Sequence, residues 1–140
     1  MGIGWRPFYA LGMLASMIWI AVAAGGAFGS VARHAVNVLF AHVFERAVPY
    51  ATATVNVIGA AVIGLLAGLI ASDRLHWSPA MRTFVFVGIL GGFTTFSSFM
   101  LDTLTLGRGG EQTMAISNVM GQTVLGVMVV WAGYYVGALR

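Results

Sequence analysis

The densest set of reactive or ligating groups in this chain lies in one run, from Gly88 to Asp102. It places Gly91 and Gly92 before Thr94, Thr95, Ser97 and Ser98, with Phe96 and Phe99 among the hydroxyls, in an otherwise apolar stretch. Phe96 and Phe99 are three residues apart and so share one face of a helix. An aromatic ring is electropositive at its edge. Two ring edges beside the Thr95 and Ser98 hydroxyls can therefore line a route for a small anion, with no full positive charge to trap it. The same spacing also serves ordinary core packing. Glycine costs about 1 kcal/mol against alanine in a helix, and β-branched threonine rather less. The two glycines and two threonines thus predict a break between Gly91 and Thr95. In hydrocarbon a break survives only when buried in protein or facing a cavity, and its freed carbonyls need partners. Two such breaks meeting at a dimer axis would present a cage of carbonyl oxygens suited to a hard cation such as Na⁺. The alternative is a glycine packing notch whose threonine hydroxyls bond back to the i−4 carbonyls.

Other polar groups extend the set. Asn56 is the one strongly hydrogen-bonding side chain in the middle of its apolar segment; its amide can donate to an anion or tie two helices together. Asn118 and Gln122 are one turn apart on a common face. Arg33 closes the first apolar run, where it either attracts anions at a mouth or snorkels to the interface. No Asp or Glu precedes Glu45, and Asp102 is the acid nearest to any span interior, so a carboxylate relay is hard to build. His34, His42 and His76 have no ligand spacing on a common face. Nothing pairs a nucleophile with a base, cradles phosphates or binds a cofactor, which excludes an enzyme.

The elements that must position these groups are membrane helices. Hydrophobic residues make up 59% of the 140 residues and charged ones 8%, against roughly 45–50% and about 25% in globular proteins. The expected spans are about 8–32, 52–71, 81–104 and 113–139, in one all-α transmembrane domain covering 1–140. Four spans of about 20 residues fit this length, with no room for a soluble domain. Ala21-Val22-Ala23 resembles a signal cleavage site, but the apolar pattern runs on past it to Val31 and suits a span better. Ser78-Pro79 is an N-cap and N1 pair before the third span. Trp5, Trp77, Trp131, Tyr134 and Tyr135 fall near span ends, where headgroups favour them. Seven scattered arginines make no nucleic-acid footprint, and the absence of cysteine excludes disulfides and thiolate metal sites. Glycines four apart recur in every span: Gly25/Gly29, Gly64/Gly68, Gly88/Gly92 and Gly133/Gly137. That spacing lets helix backbones approach closely.

With four spans, Arg6, Arg74, Arg82 and Arg140 fall on one side, and Arg33, Arg46 and Arg108 on the other. Orientation follows the basic-residue bias, and four against three is almost none. Copies inserted both ways up, pairing as an antiparallel homodimer, stand beside a single orientation set by weaker cues.

Three strings in the chain resemble the Fluc (CrcB) fluoride channels. They are Gly25-Gly26-Ala27-Phe28-Gly29 leading to Arg33; Thr54-Val55-Asn56 followed by Gly59; and, most specifically, Gly91 to Phe99. The resemblance implies four helices with the third broken mid-membrane, assembled as an antiparallel dual-topology homodimer in the bacterial inner membrane. Phe96 and Phe99 would line two fluoride pores, Asn56 would coordinate the anion, and Ser98, Thr95 and Thr52 would belong to the polar track. Arg33 would stand near the vestibule. Carbonyls of Gly91 and Thr94 from both subunits would hold a structural Na⁺. Passive F⁻ export would protect the cytoplasm. The chain departs from the family where Asp102 replaces a glutamate, and where Asn118 and Gln122 stand for a tyrosine and a serine of an outer polar track. Two other classes compete: a small multidrug-type four-helix exporter of dual topology, which needs an embedded carboxylate, and a non-transporting assembly factor whose polar residues only pack.

Overall fold

The computed structural model describes residues 6–44 and 49–139, with side chains from residue 16 onward. Trp5, Glu45, Arg46 and Arg140 lie outside the described residues. The described residues form helices joined by short turns. α1 (Arg6–Val43) and α2 (Tyr50–Ala71) are followed by a composite third segment. That segment comprises α3 (Pro79–Arg82), a π-helical stretch (Thr83–Leu90), α4 (Gly91–Phe93) and α5 (Phe96–Arg108), and α6 (Gln112–Ala138) completes the chain. Among the described residues four segments are long and apolar enough to cross a membrane: Ser16–Val43, Tyr50–Ala71, Pro79–Arg108 and Gln112–Ala138.

α1 runs on beyond the apolar stretch that closes at Ala32, because no glycine or proline interrupts residues 33 to 43. Its 38 residues extend about 57 Å at 1.5 Å per residue, well beyond a hydrocarbon core of about 30 Å. The surplus carries Arg33, His34, Asn37 and His42. At the start of the third segment Ser78 accepts the Met81 N–H at 3.2 Å, and Pro79 occupies the first helical position, where its missing N–H is harmless. The π-helical stretch follows at once, and the Gly91 N–H reaches back to the Phe86 carbonyl.

Glycines select the neighbours. α1 packs on the π-helical stretch and α4, whereas α2 packs on α6. At the first contact a methyl on Gly25 or Gly29 would strike the Phe84 or Ile89 carbonyl, and one on Gly92 would lie 2.7 Å from the Gly26 carbonyl. At the second, methyls on Gly64, Gly68 and Gly137 would strike the carbonyls of Val130, Tyr134 and Leu65. Backbone thus lies against backbone, the geometry small residues permit where hydrophobicity gives no drive between helices.

The α2–α6 pair is fastened at one end, and the two pairs are tied together in the middle. At the end, Ser72 Oγ donates to the Gly137 carbonyl (3.1 Å) and Arg74 Nη1 to that of Leu139 (2.7 Å), satisfying carbonyls that the end of α6 leaves without partners. Asp73 turns the chain there with φ of 59°. The 72–78 connection and the C-terminal end of α6 therefore lie on one side. In the middle, the tie is the interruption between α4 and α5.

Candidate functional site

The interruption is two residues long. Thr94 (φ −83°, ψ 161°) and Thr95 (φ −156°, ψ 122°) are extended, and helix resumes at Phe96. Thr94 closes the upstream helix, its N–H and Oγ1 both donating to the Leu90 carbonyl at 2.9 and 2.8 Å. Thr95 opens the downstream one, its Oγ1 accepting the Ser98 N–H at 3.2 Å. The same hydroxyl donates to Ser98 Oγ at 3.1 Å and lies 3.3 Å from Ser97 Oγ, so three hydroxyls cluster at the start of α5. Gly59 of α2 makes the room: a methyl there would strike Thr94 Cγ2.

Asn56, one turn before Gly59 on α2, holds the extended residues. Its Oδ1 accepts the Thr95 N–H at 2.8 Å, and its Nδ2 donates to the Thr95 carbonyl at 3.1 Å. The second hydrogen on that nitrogen goes to Gln122 Oε1 of α6 at 2.8 Å. Gln122 Nε2 donates to Asn118 Oδ1, and Asn118 Nδ2 to Thr103 Oγ1 on α5, both at 2.8 Å. Thr52, one turn before Asn56 on the same face, is buried.

These bonds free two carbonyls. The Thr95 N–H, the i+4 donor that helix would aim at the Gly91 carbonyl, is engaged by Asn56. The Ser98 N–H, likewise the i+4 donor for Thr94, is engaged by Thr95 Oγ1. Gly91 and Thr94 border a concavity of about 340 Å³ with Asn56, Gly59, Phe86 and Leu90. Among the described residues no three His, Asp or Glu side chains converge, and the oxygens in this region are backbone carbonyls, hydroxyls and side-chain amides.

Phe96 and Phe99 meet edge to face, ring centroids 5.9 Å apart at 74°. Phe99 is 7% exposed and Phe96 73%. One ring is therefore anchored in the bundle and the other stands out from it. Asp102, one turn beyond Ser98, has a buried Oδ2 with no hydrogen-bond partner. Arg33, half-buried on α1, makes no hydrogen bond or ion pair with the Asn56–Gln122 group.

The fold thus brings Asn56, Thr95, Ser98, Gln122 and Asn118 into one connected group, and the Phe96–Phe99 pair stands on the same helix as Ser98. Sequence reasoning missed Thr103, which joins Asn118 to α5; a threonine that bonds back to an i−4 carbonyl is too ordinary in a membrane helix to stand out. It also missed the grip of Asn56 on the Thr95 backbone, which only the relative phase of α2 and α5 creates.

A family profile described as CrcB-like protein, Camphor Resistance (CrcB), matches residues 20–134. Similar proteins named fluoride-specific ion channel FluC occur in several bacteria. That of Opitutus terrae is 44% identical over 118 residues, covering 84% of this chain and 89% of the relative. Those of Nitrobacter winogradskyi and Rhodospirillum centenum are 46% and 47% identical over 116 residues, each covering 81% of this chain and 90% of the relative.

Proposed function

The chain belongs to the CrcB (Fluc) family, and on that footing we propose that it is a fluoride-specific passive channel rather than an enzyme. It works as an antiparallel, dual-topology homodimer in the bacterial plasma (inner) membrane and lets F⁻ leave the cytoplasm down its gradient. The observation that carries the reading is the two-residue interruption at Thr94 and Thr95, gripped by Asn56 next to the Phe96–Phe99 pair.

Each element of the group has a part in anion passage. A fluoride ion stripped of water needs donors, and the route offers N–H, O–H and ring-edge C–H without a cation that would hold the ion fast. Asn56 contributes its amide; Ser98, Thr95 and Thr52 contribute hydroxyls. Phe99 is fixed by packing, whereas the exposed Phe96 reaches its working environment against a second copy. Asp102, Asn118 and Gln122 continue the polar track beyond the rings, and Arg33 raises the local anion concentration at the vestibule. The break lies at mid-membrane, where extended backbone is tolerated only under the cover of other protein.

The freed carbonyls of Gly91 and Thr94 fit a structural Na⁺ at the dimer axis. They are hard, uncharged oxygens without their intrahelical donors, and two copies would supply twice the set. When bound, the ion would supply positive charge that holds these carbonyls and the two interruptions together.

Liposomes carrying the purified protein and loaded with fluoride test the reading. Fluoride should leave rapidly under an electrical shunt while chloride stays. Release no faster than from protein-free vesicles, with folded dimeric protein present, sinks it.

A further inference from the structure

Five hydrogen bonds run head to tail from the interruption to α6 and back to α5. Thr95 N–H donates to Asn56 Oδ1, Asn56 Nδ2 to Gln122 Oε1, Gln122 Nε2 to Asn118 Oδ1, and Asn118 Nδ2 to Thr103 Oγ1, each at 2.8 Å. Thr103 Oγ1 then donates to the Phe99 carbonyl at 2.9 Å. The direction is dictated from both ends. A backbone N–H, which can only donate, starts the series, and a carbonyl, which can only accept, finishes it. Every amide between them must point its oxygen toward Thr95.

One consequence concerns the anion. The Nδ2 of Asn56, the donor that the channel reading assigns to fluoride, has both hydrogens engaged, one by the Thr95 carbonyl and one by Gln122 Oε1. Of these two acceptors, the backbone carbonyl is held in place by the clamp, whereas Gln122 Oε1 sits on a side chain that can turn. We propose that Gln122 is a tethered competitor: its Oε1 occupies the anion's place on Asn56 when no ion is there, and yields it when one arrives.

This inference rests on the channel reading, and its test separates the two. Fluoride flux is measured in proteoliposomes for wild type, Gln122→Ser and Gln122→Glu, each checked for dimer formation. Removing the competitor should lower the fluoride concentration giving half-maximal flux about fivefold, the effect of one hydrogen bond of ordinary net strength. A glutamate keeps a charged oxygen on Asn56 and should cut flux about tenfold or more. If wild type conducts and both variants match it in rate and half-saturation, the competitor role is overturned and the channel stands; if wild type does not conduct, both fall. Side-chain amide NMR of ¹⁵N-labelled wild type gives an answer without any variant. Sodium fluoride, but not sodium chloride, should move the Asn56 and Gln122 resonances together, and a Gln122 signal that stays fixed while Asn56 moves overturns the proposal.

Discussion

Asn56 and the peptide of Thr95 form a closed pair: the side-chain oxygen takes the Thr95 N–H, and the side-chain nitrogen donates to the Thr95 carbonyl. The carboxamide thereby replaces the bonds that an unbroken helix would have given this residue. Thr95 is only 9% exposed, so water is a poor substitute partner. Asn56→Leu, similar in size but unable to pair, leaves both backbone groups wanting, at roughly 1–3 kcal/mol each. Thermal unfolding in detergent should show a clear drop in midpoint. An unchanged midpoint would mean that the clamp contributes nothing to the fold.

Asn56→Asp separates the clamp from the donor. The carboxylate still accepts the Thr95 N–H but returns nothing to the carbonyl or to Gln122, and it adds negative charge beside an anion route. Fluoride efflux should vanish while more of the dimer survives than in Asn56→Leu. Equal loss of assembly in the two variants would argue that the residue acts only as structure.

The seat beneath the interruption makes a second, independent case. A methyl at Gly59 would overlap Thr94 Cγ2, and both elements are pinned, α2 by α6 and Thr94 by its bonds to Leu90. Gly59→Ala should therefore destabilise by about 1–3 kcal/mol, as overpacking does. Thr94→Ser deletes the colliding methyl and keeps the hydroxyl, so the double variant should regain most of the loss. A double variant no more stable than Gly59→Ala alone would place the strain elsewhere.

Much of this arrangement was legible in the chain, for identifiable reasons. The run from Gly91 to Phe99 stands out because glycine, threonine and serine are costly in mid-span without a purpose, and that run pointed to the family which the comparisons show. Glycines at Gly25/Gly29, Gly64/Gly68, Gly88/Gly92 and Gly133/Gly137 announced close approach. Their spacing carries no information on partners, so the pairing of α1 with the third segment and of α2 with α6 was not readable. The π-helical stretch was equally silent: Thr83–Leu90 is a nearly uniform apolar run, and a change in helix type leaves no periodicity to detect. The bond from Asn56 to Gln122 joins residues 66 apart and exists only because α2 and α6 cross at a fixed rotation.

Glycines that look alike in sequence should differ sharply in effect. A methyl at Gly68 would strike the Tyr134 carbonyl and one at Gly137 that of Leu65, whereas Gly121 and Gly126 have nothing within 4 Å of the added carbon. Gly68→Leu and Gly137→Leu should abolish assembly, because the obstacle is backbone and cannot give. Within the chain Gly121→Ala and Gly126→Ala have room, and each relieves a helix of a residue costing about 1 kcal/mol. Yield and dimer fraction on size exclusion check this, and the contrast fails if all four variants behave alike.

The proposed Na⁺ can be tested without altering a residue. Its ligands would be the Gly91 and Thr94 carbonyls, which no side-chain substitution removes. A ligand held only by the assembled protein stabilises it in proportion to the logarithm of its concentration, about 2.7 kcal/mol at one hundred times its dissociation constant. Replacing sodium by N-methylglucamine at constant ionic strength should lower the unfolding midpoint and loosen the dimer, and restoring sodium should reverse both. A midpoint indifferent to the cation would remove the ion from the structure.

Phe96 and Phe99 predict different outcomes although they are neighbours in one edge-to-face contact. Phe99 is nine-tenths buried, so Phe99→Ile trims packed atoms and should cost about 1–3 kcal/mol in stability as well as fluoride flux. Phe96 stands 73% exposed, so Phe96→Ile removes little that the subunit itself packs. Its effect should fall on flux and leave the thermal midpoint of the folded chain nearly unchanged. If flux survives both substitutions, the rings are packing and the route lies elsewhere. If Phe96→Ile lowers the midpoint as much as Phe99→Ile, the contact of this ring with the second copy carries stability as well as the anion route.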